Sequence, residues 1–168
     1  MSPVVSGVAA ALGGRHGHGS AQPGAARLTA VAKVLIVSDA RTVVNEVQAV
    51  VDDGENRIGV VASGEAVRNL VKADPPDLVI TDCQVQNMGG IAVTLDLKLE
   101  ASGGRIPEVP VLILLDRRAD VFLARRSGAE GFLVKPLDPI RLRLAVRELL
   151  AGGTFFDESY KPLPLATS

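Results

Sequence analysis

Three ionisable residues stand just past short apolar runs: Asp39 after Val34-Leu35-Ile36-Val37-Ser38, Asp82 after Leu78-Val79-Ile80-Thr81, and Lys135 after Phe132-Leu133-Val134. Such runs, bounded by turn residues and lacking a helical period, read as buried parallel strands. In an open α/β sheet the ligand crevice lies at the carboxyl ends of the strands, so the two acids and the lysine converge there. Two nearby carboxylates call for a cation, and oxygen ligands select Mg2+ over softer metals. The lysine then neutralises an anion bound to one of the acids. A carboxylate nucleophile, a metal and a fixed cation are the parts needed for phosphoryl transfer to an aspartate.

The elements that must position them alternate from Lys33 onward. Strands are expected at Val34–Val37, Ile58–Val61, Leu78–Thr81, Val111–Leu115 and Phe132–Val134. Helices are expected at Thr42–Val51, Glu65–Lys72, Ile91–Glu100, around Val121–Arg126 and at Pro139–Leu150, where Asp138 serves as N-cap and Pro139 takes the first helical position. Five such β-α units give a parallel sheet covered on both faces. Residues 1–31 are rich in Ala, Gly, Ser and Pro without an acid, and read as a flexible arm in which His16 and His18 are solvated rather than metal-bound. Residues 32–151 form the domain, and 152–168 a tail too short to be a DNA-binding domain.

The chain has 168 residues and a formal net charge of −1, so no global field draws it to nucleic acid or anionic lipid. The single cysteine, Cys83, excludes an internal disulfide and suits a reducing cytoplasm. Beside Asp82 it invites an oxidant-sensing role, although a small buried filler is the commoner use. No apolar run approaches the ~20 residues that span a bilayer. Residues 4–12 lack the basic flank of a signal peptide.

At Val34-Leu35-Ile36-Val37-Ser38-Asp39, Asp77-Leu78-Val79-Ile80-Thr81-Asp82, Asn87-Met88-Gly89-Gly90, Pro110-Val111 and Gly128-Ala129-Glu130-Gly131-Phe132-Leu133-Val134-Lys135-Pro136, the chain resembles the receiver domain of bacterial two-component response regulators. The resemblance implies a flavodoxin-like doubly wound sheet of five parallel strands in the order 2-1-3-4-5. It implies Asp82 as phospho-acceptor, Asp39 and the backbone carbonyl of Gln84 as further metal ligands, and Lys135 as the phosphate partner. Phe132 matches the aromatic that the family rotates on activation.

Departures from the family fall on the switch rather than the scaffold. Ser38 replaces the first of two acids usual after strand one, which forfeits on the order of 3 kcal/mol for a metal at ~5 Å and an effective dielectric near 20, less through water. Mg2+ binding should be weakened. The position of the hydroxyl that swings to a phosphoryl oxygen is Leu115, and no Ser or Thr occurs from Ile106 to Arg126. A ligand without differential affinity for two states shifts nothing, so phosphorylation switching should be impaired unless another donor substitutes.

Helices four and five and strand five, the docking face of receivers, carry Arg117, Arg118, Arg125, Arg126, Arg141, Arg143 and Arg147 among Phe122, Leu123 and Leu144. Arginine beside apolar residues is typical of interface centres, while a solvated helical face would look similar. Phe155, Phe156 and Tyr160 sit in the tail, where they either pack back on the domain or, as the reading favoured here has it, anchor in a protein partner. The stretches 114–126 and 134–139 are similar to orphan receivers of actinobacteria, which themselves resemble a receiver-like accessory subunit of the proton-pumping NADH dehydrogenase, respiratory complex I. The expectation is a stand-alone docking module, not an enzyme. It is cytoplasmic, reaching the inner face of the membrane only through a partner, with no nucleic acid and no membrane insertion. A conventional phosphorelay receiver served by a histidine kinase is the competing expectation.

Overall fold

The computed structural model describes residues 31–161; the expectations for residues 1–30 and for Pro162-Leu163-Pro164-Leu165 lie outside them. Strands β1 (Lys33–Val37), β2 (Arg57–Val61), β3 (Leu78–Asp82), β4 (Val111–Leu115) and β5 (Gly131–Val134) alternate with helices α1 (Arg41–Val51), α2 (Val67–Ala73), α3 (Gly90–Ser102), α4 (Val121–Arg126) and α5 (Pro139–Leu150). A last strand, β6 (Phe155–Phe156), follows α5. The sheet order is β2-β1-β3-β4-β5-β6, and every neighbouring pair is parallel. The flavodoxin-like α/β architecture stands as expected. The expectation of five strands is corrected to six, because two tail residues add to the β5 edge.

The apolar runs fold this way because both faces of the central strands are covered. Along β4, Val111, Ile113 and Leu115 join one core cluster with Val67, Val71, Val93, Leu97 and Val121, while Leu112 and Leu114 join the opposite cluster with Val43, Val47, Leu142, Ala145 and Leu149. Strands β3 and β4 are buried at every position, which is why they read as unbroken hydrophobic runs rather than alternating ones. Asp138 caps α5, its Oδ1 accepting from the amides of Ile140 at 2.8 Å and Arg141 at 3.0 Å, with Pro139 in the first turn.

Two close approaches need glycine. A Cβ on Gly90 would lie 2.3 Å from the carbonyl oxygen of Asp82, so only glycine lets α3 start directly against the end of β3. A Cβ on Gly131 would lie 2.7 Å from the carbonyl oxygen of Phe155, so the β5 edge is bare enough for β6 to pair with it.

Candidate functional site

Register brings the site together. Val37 pairs with Thr81, Asp82 with Leu114, and Leu115 with Val134, so the residues that follow β1, β3, β4 and β5 share the carboxyl edge of the sheet. Backbone bonds continue the ladder past the strands: the Cys83 amide donates to Leu114 O at 2.8 Å and the Lys135 amide to Leu115 O at 2.8 Å.

Asp82 is only 2 % exposed, yet its carboxylate is fully engaged. Lys135 Nζ donates to Oδ1 at 2.7 Å, the Gln84 amide approaches the same oxygen at 3.4 Å, and the buried Ser38 hydroxyl donates to Oδ2 at 3.1 Å. Ser38 Oγ also accepts from the Ala40 amide at 3.2 Å, which fixes the hydroxyl at the entrance to α1. The serine that replaces an acid is therefore a clamp on Asp82, a role not expected from the sequence.

Lys135 holds a second carboxylate: its Nζ donates to Asp116 Oδ1 at 2.9 Å. Burial pulls the lysine pKa down, but the hydrogen bonds and charges of Asp82 and Asp116 outweigh it and hold the ammonium above its ordinary value. Asp116 is the residue at this site that the sequence does not single out. It is the first residue past β4, the same kind of position that singled out Asp39 and Asp82, but the adjoining Arg117-Arg118 makes it look like part of a solvated turn.

Asp39 is exposed and lines an open groove with Ser38, Arg41, Val44, Asn45, Val60 and Ala62, a lining that does not include Asp82. Asp82 and Lys135 thus meet as expected, while Asp39 opens onto the adjoining groove. Among the described residues no group of three or more His, Cys, Asp or Glu side chains is gathered as a metal cluster. Asp39, Asp82 and the Gln84 carbonyl are oxygen donors, the class that suits Mg2+, and the Ser38 hydroxyl stands on Asp82 where another charge would help. Burial first, then the carboxylates of Asp120, Asp116 and Asp82, push the Cys83 thiol above its ordinary pKa, which makes it a poor nucleophile and favours the filler role.

The switch positions are packed, not poised. Leu115 and Phe132 are both 0 % exposed and belong to one core cluster with Val121 and Ala124. The Phe156 ring lies 5.5 Å from that of Phe132, tilted by 41°, and the Arg125 guanidinium sits 5.0 Å from the Phe156 centroid and 5.3 Å from the Phe132 centroid. The buried Thr81 hydroxyl is committed to the Asp82 carbonyl at 3.2 Å, so it is no ready substitute for a donor on β4.

The arginine face divides. Arg125 and Arg141 turn to the tail: Arg141 Nη1 donates to Asp157 Oδ1 at 3.0 Å, and Arg125 lies 3.9 Å from Glu158. Arg117 pairs with Asp120 at 3.2 Å, Arg126 covers the exposed Phe122 at 5.5 Å, and Arg118, Arg143, Arg147 and Leu144 remain exposed. The expectation of Phe155, Phe156 and Tyr160 as free anchors for a partner is corrected: the first two form β6 and all three pack against the core clusters.

Comparison with known proteins fits this geometry. Residues 34–147 match the family model described as the response regulator receiver domain. Response regulator PleD of Caulobacter vibrioides is 29% identical over 127 residues, which is 76% of this chain and 28% of that protein. Protein PilH of Pseudomonas aeruginosa is 26% identical over 122 residues, 73% of this chain and 100% of that one. The chain thus spans about a quarter of one relative and the whole of the other. The chemotaxis response regulator CheY4 of Vibrio cholerae superposes with a TM-score of 0.62 over 71% of this chain and 98% of that one; at 22% identity this likeness speaks for the fold.

Proposed function

The chain belongs to the response regulator receiver domain family, and from that premise we propose that it is an atypical receiver working as a protein-docking module, in which loading of Asp82 is uncoupled from the shape of the α4-β5-α5 face. The observation that carries this reading is Leu115, fully buried in the core where a hydroxyl would have to reach the phosphoryl group. The enclosure of Phe132 by Phe156 and Arg125 supports it. The protein catalyses nothing on small substrates in this reading; it acts in the cytoplasm by binding a protein, through exposed residues of α4 and α5 such as Phe122, Arg126 and Leu144 and through Arg118 just before α4. Respiratory complex I as that partner rests on the resemblance of residues 114–126 and 134–139 alone. Among the described residues no helix is long and apolar enough to cross a membrane, so attachment there would run through the partner.

The second reading, a conventional phosphorelay receiver, is favoured by the 2.7 Å contact of Lys135 with Asp82, the pair that phosphoryl transfer from a histidine kinase would use. Amide NMR of the protein with Mg2+ and beryllofluoride separates the two. The docking module predicts changes confined to the carboxyl edge of the sheet; large shifts through α4 and β5 would establish the relay instead.

A further inference from the structure

We propose that Asp116 is a built-in competitor for Lys135: its carboxylate shares the ammonium with Asp82, opposes the charge of any anion bound there, and so sets how readily this pocket is loaded. The inference rests on the reading of Asp82 as the acceptor position and Lys135 as the phosphate partner.

Lys135 Nζ stands between two carboxylate oxygens, 2.7 Å from Asp82 and 2.9 Å from Asp116. One positive charge thus answers two negative ones before any ligand arrives. An anion added at Asp82 needs a donor from the same ammonium, two of whose three N–H groups are already given to Asp82 and Asp116. It must therefore either displace Asp116 or lie beside it, and both raise its free energy. Asp116 is suited to this part because it is tethered to the end of β4 through Leu115, itself locked in the core, so its carboxylate is presented without much loss of freedom. Its side chain is 32% exposed, against 3% for Asp82, so it is the more solvent-facing of the two carboxylates on the lysine. A neighbouring acid provides the control: Asp120 lies on the same β4–α4 connection but is paired with Arg117, not with Lys135.

The test is a 19F NMR titration of beryllofluoride, at saturating Mg2+, into the full chain and its D116N, D116A and D120N variants. Competition predicts that D116N and D116A each tighten binding by about tenfold, equivalent to ~1.4 kcal/mol, while D120N stays within about threefold of wild type. A D116N protein within threefold of wild type overturns the proposal. So does a gain in D116A alone, which would mean bulk rather than charge, and so does an equal gain in D120N, which would mean a general field. Absence of binding in every protein overturns it together with the acceptor reading. Amide spectra of the same samples keep the two ideas apart: tighter binding in D116N with α4 and β5 unmoved supports competition and uncoupling alike, whereas shifts through α4 and β5 overturn only the uncoupling.

Discussion

At the scale of single residues, a few polar contacts decide what the carboxyl edge can do. Asp82 is held from both sides, by Ser38 on Oδ2 and Lys135 on Oδ1, so both oxygens are oriented before a phosphoryl group arrives. Replacing Leu115 by Thr should restore a hydroxyl at the switch position: beryllofluoride would then shift α4 and β5 resonances, at a stability cost of about 1–3 kcal/mol for the lost packing and the buried hydroxyl, read by urea unfolding. Lys135 carries a pH signature as well. Its pKa is raised in the fold, so its stabilising share is complete below about pH 10.4 and is lost as pH rises through the raised value. Wild type should therefore lose more stability in alkaline urea titrations than K135M does. Parallel losses in the two proteins would show that the lysine's pairing contributes nothing. Asp39, Asp82 and Lys135 were legible from the sequence because each ends an apolar run. Asp116 was not, since flanking arginines disguise a strand end as a charged turn. Neither was the Ser38 clamp, because its reach to Asp82 depends on β1 and β3 being adjacent.

At the scale of elements, the unexpected one is β6. Its two residues show no period, and Gly152-Gly153 before them reads as a chain break, so nothing local marks a strand. What makes it one is Asp157, whose carboxylate accepts from the amides of Val134 at 3.0 Å and Ser159 at 2.9 Å and from Arg141. Burial pushes the Asp157 pKa up, but its hydrogen bonds to Ser159 and Val134 and the Arg141 charge hold it below the ordinary carboxylate range. Its contribution is then present above about pH 3.9 and lost as pH falls through the lowered value. Replacing Asp157 by Ala strands the Val134 amide and should cost about 2 kcal/mol, with hydrogen exchange at Phe155, whose amide donates to Glu130 O, and at Val134 rising before that of β3. Unchanged exchange at those amides would mean that the backbone pairing with β5 and the aromatic contacts hold β6 without the Asp157 carboxylate. By contrast, β3 and β4 were legible at once, since burial on both faces fills β4 with apolar residues throughout and β3 with apolar residues up to Thr81 and Asp82 at its carboxyl end.

At the scale of the whole molecule, one sheet carries two cores, and β1, β3 and β4 contribute to both. Unfolding of residues 31–161 should therefore be a single transition, coincident by far-ultraviolet circular dichroism and by tyrosine fluorescence from Tyr160, which packs on the first core. A tyrosine signal that changes well before the helices melt would mean that the C-terminal segment is a separate cooperative unit. The order of elements along the chain adds a consequence for biosynthesis. A ribosome delivers every other strand before β6, so a nascent chain that has already built five strands still carries an open β5 border until Asp157 emerges from the exit tunnel. Stalled or prematurely terminated products lacking that short segment are the species most exposed to strand-to-strand clumping, and the interval before its arrival is when a chaperone has most to protect.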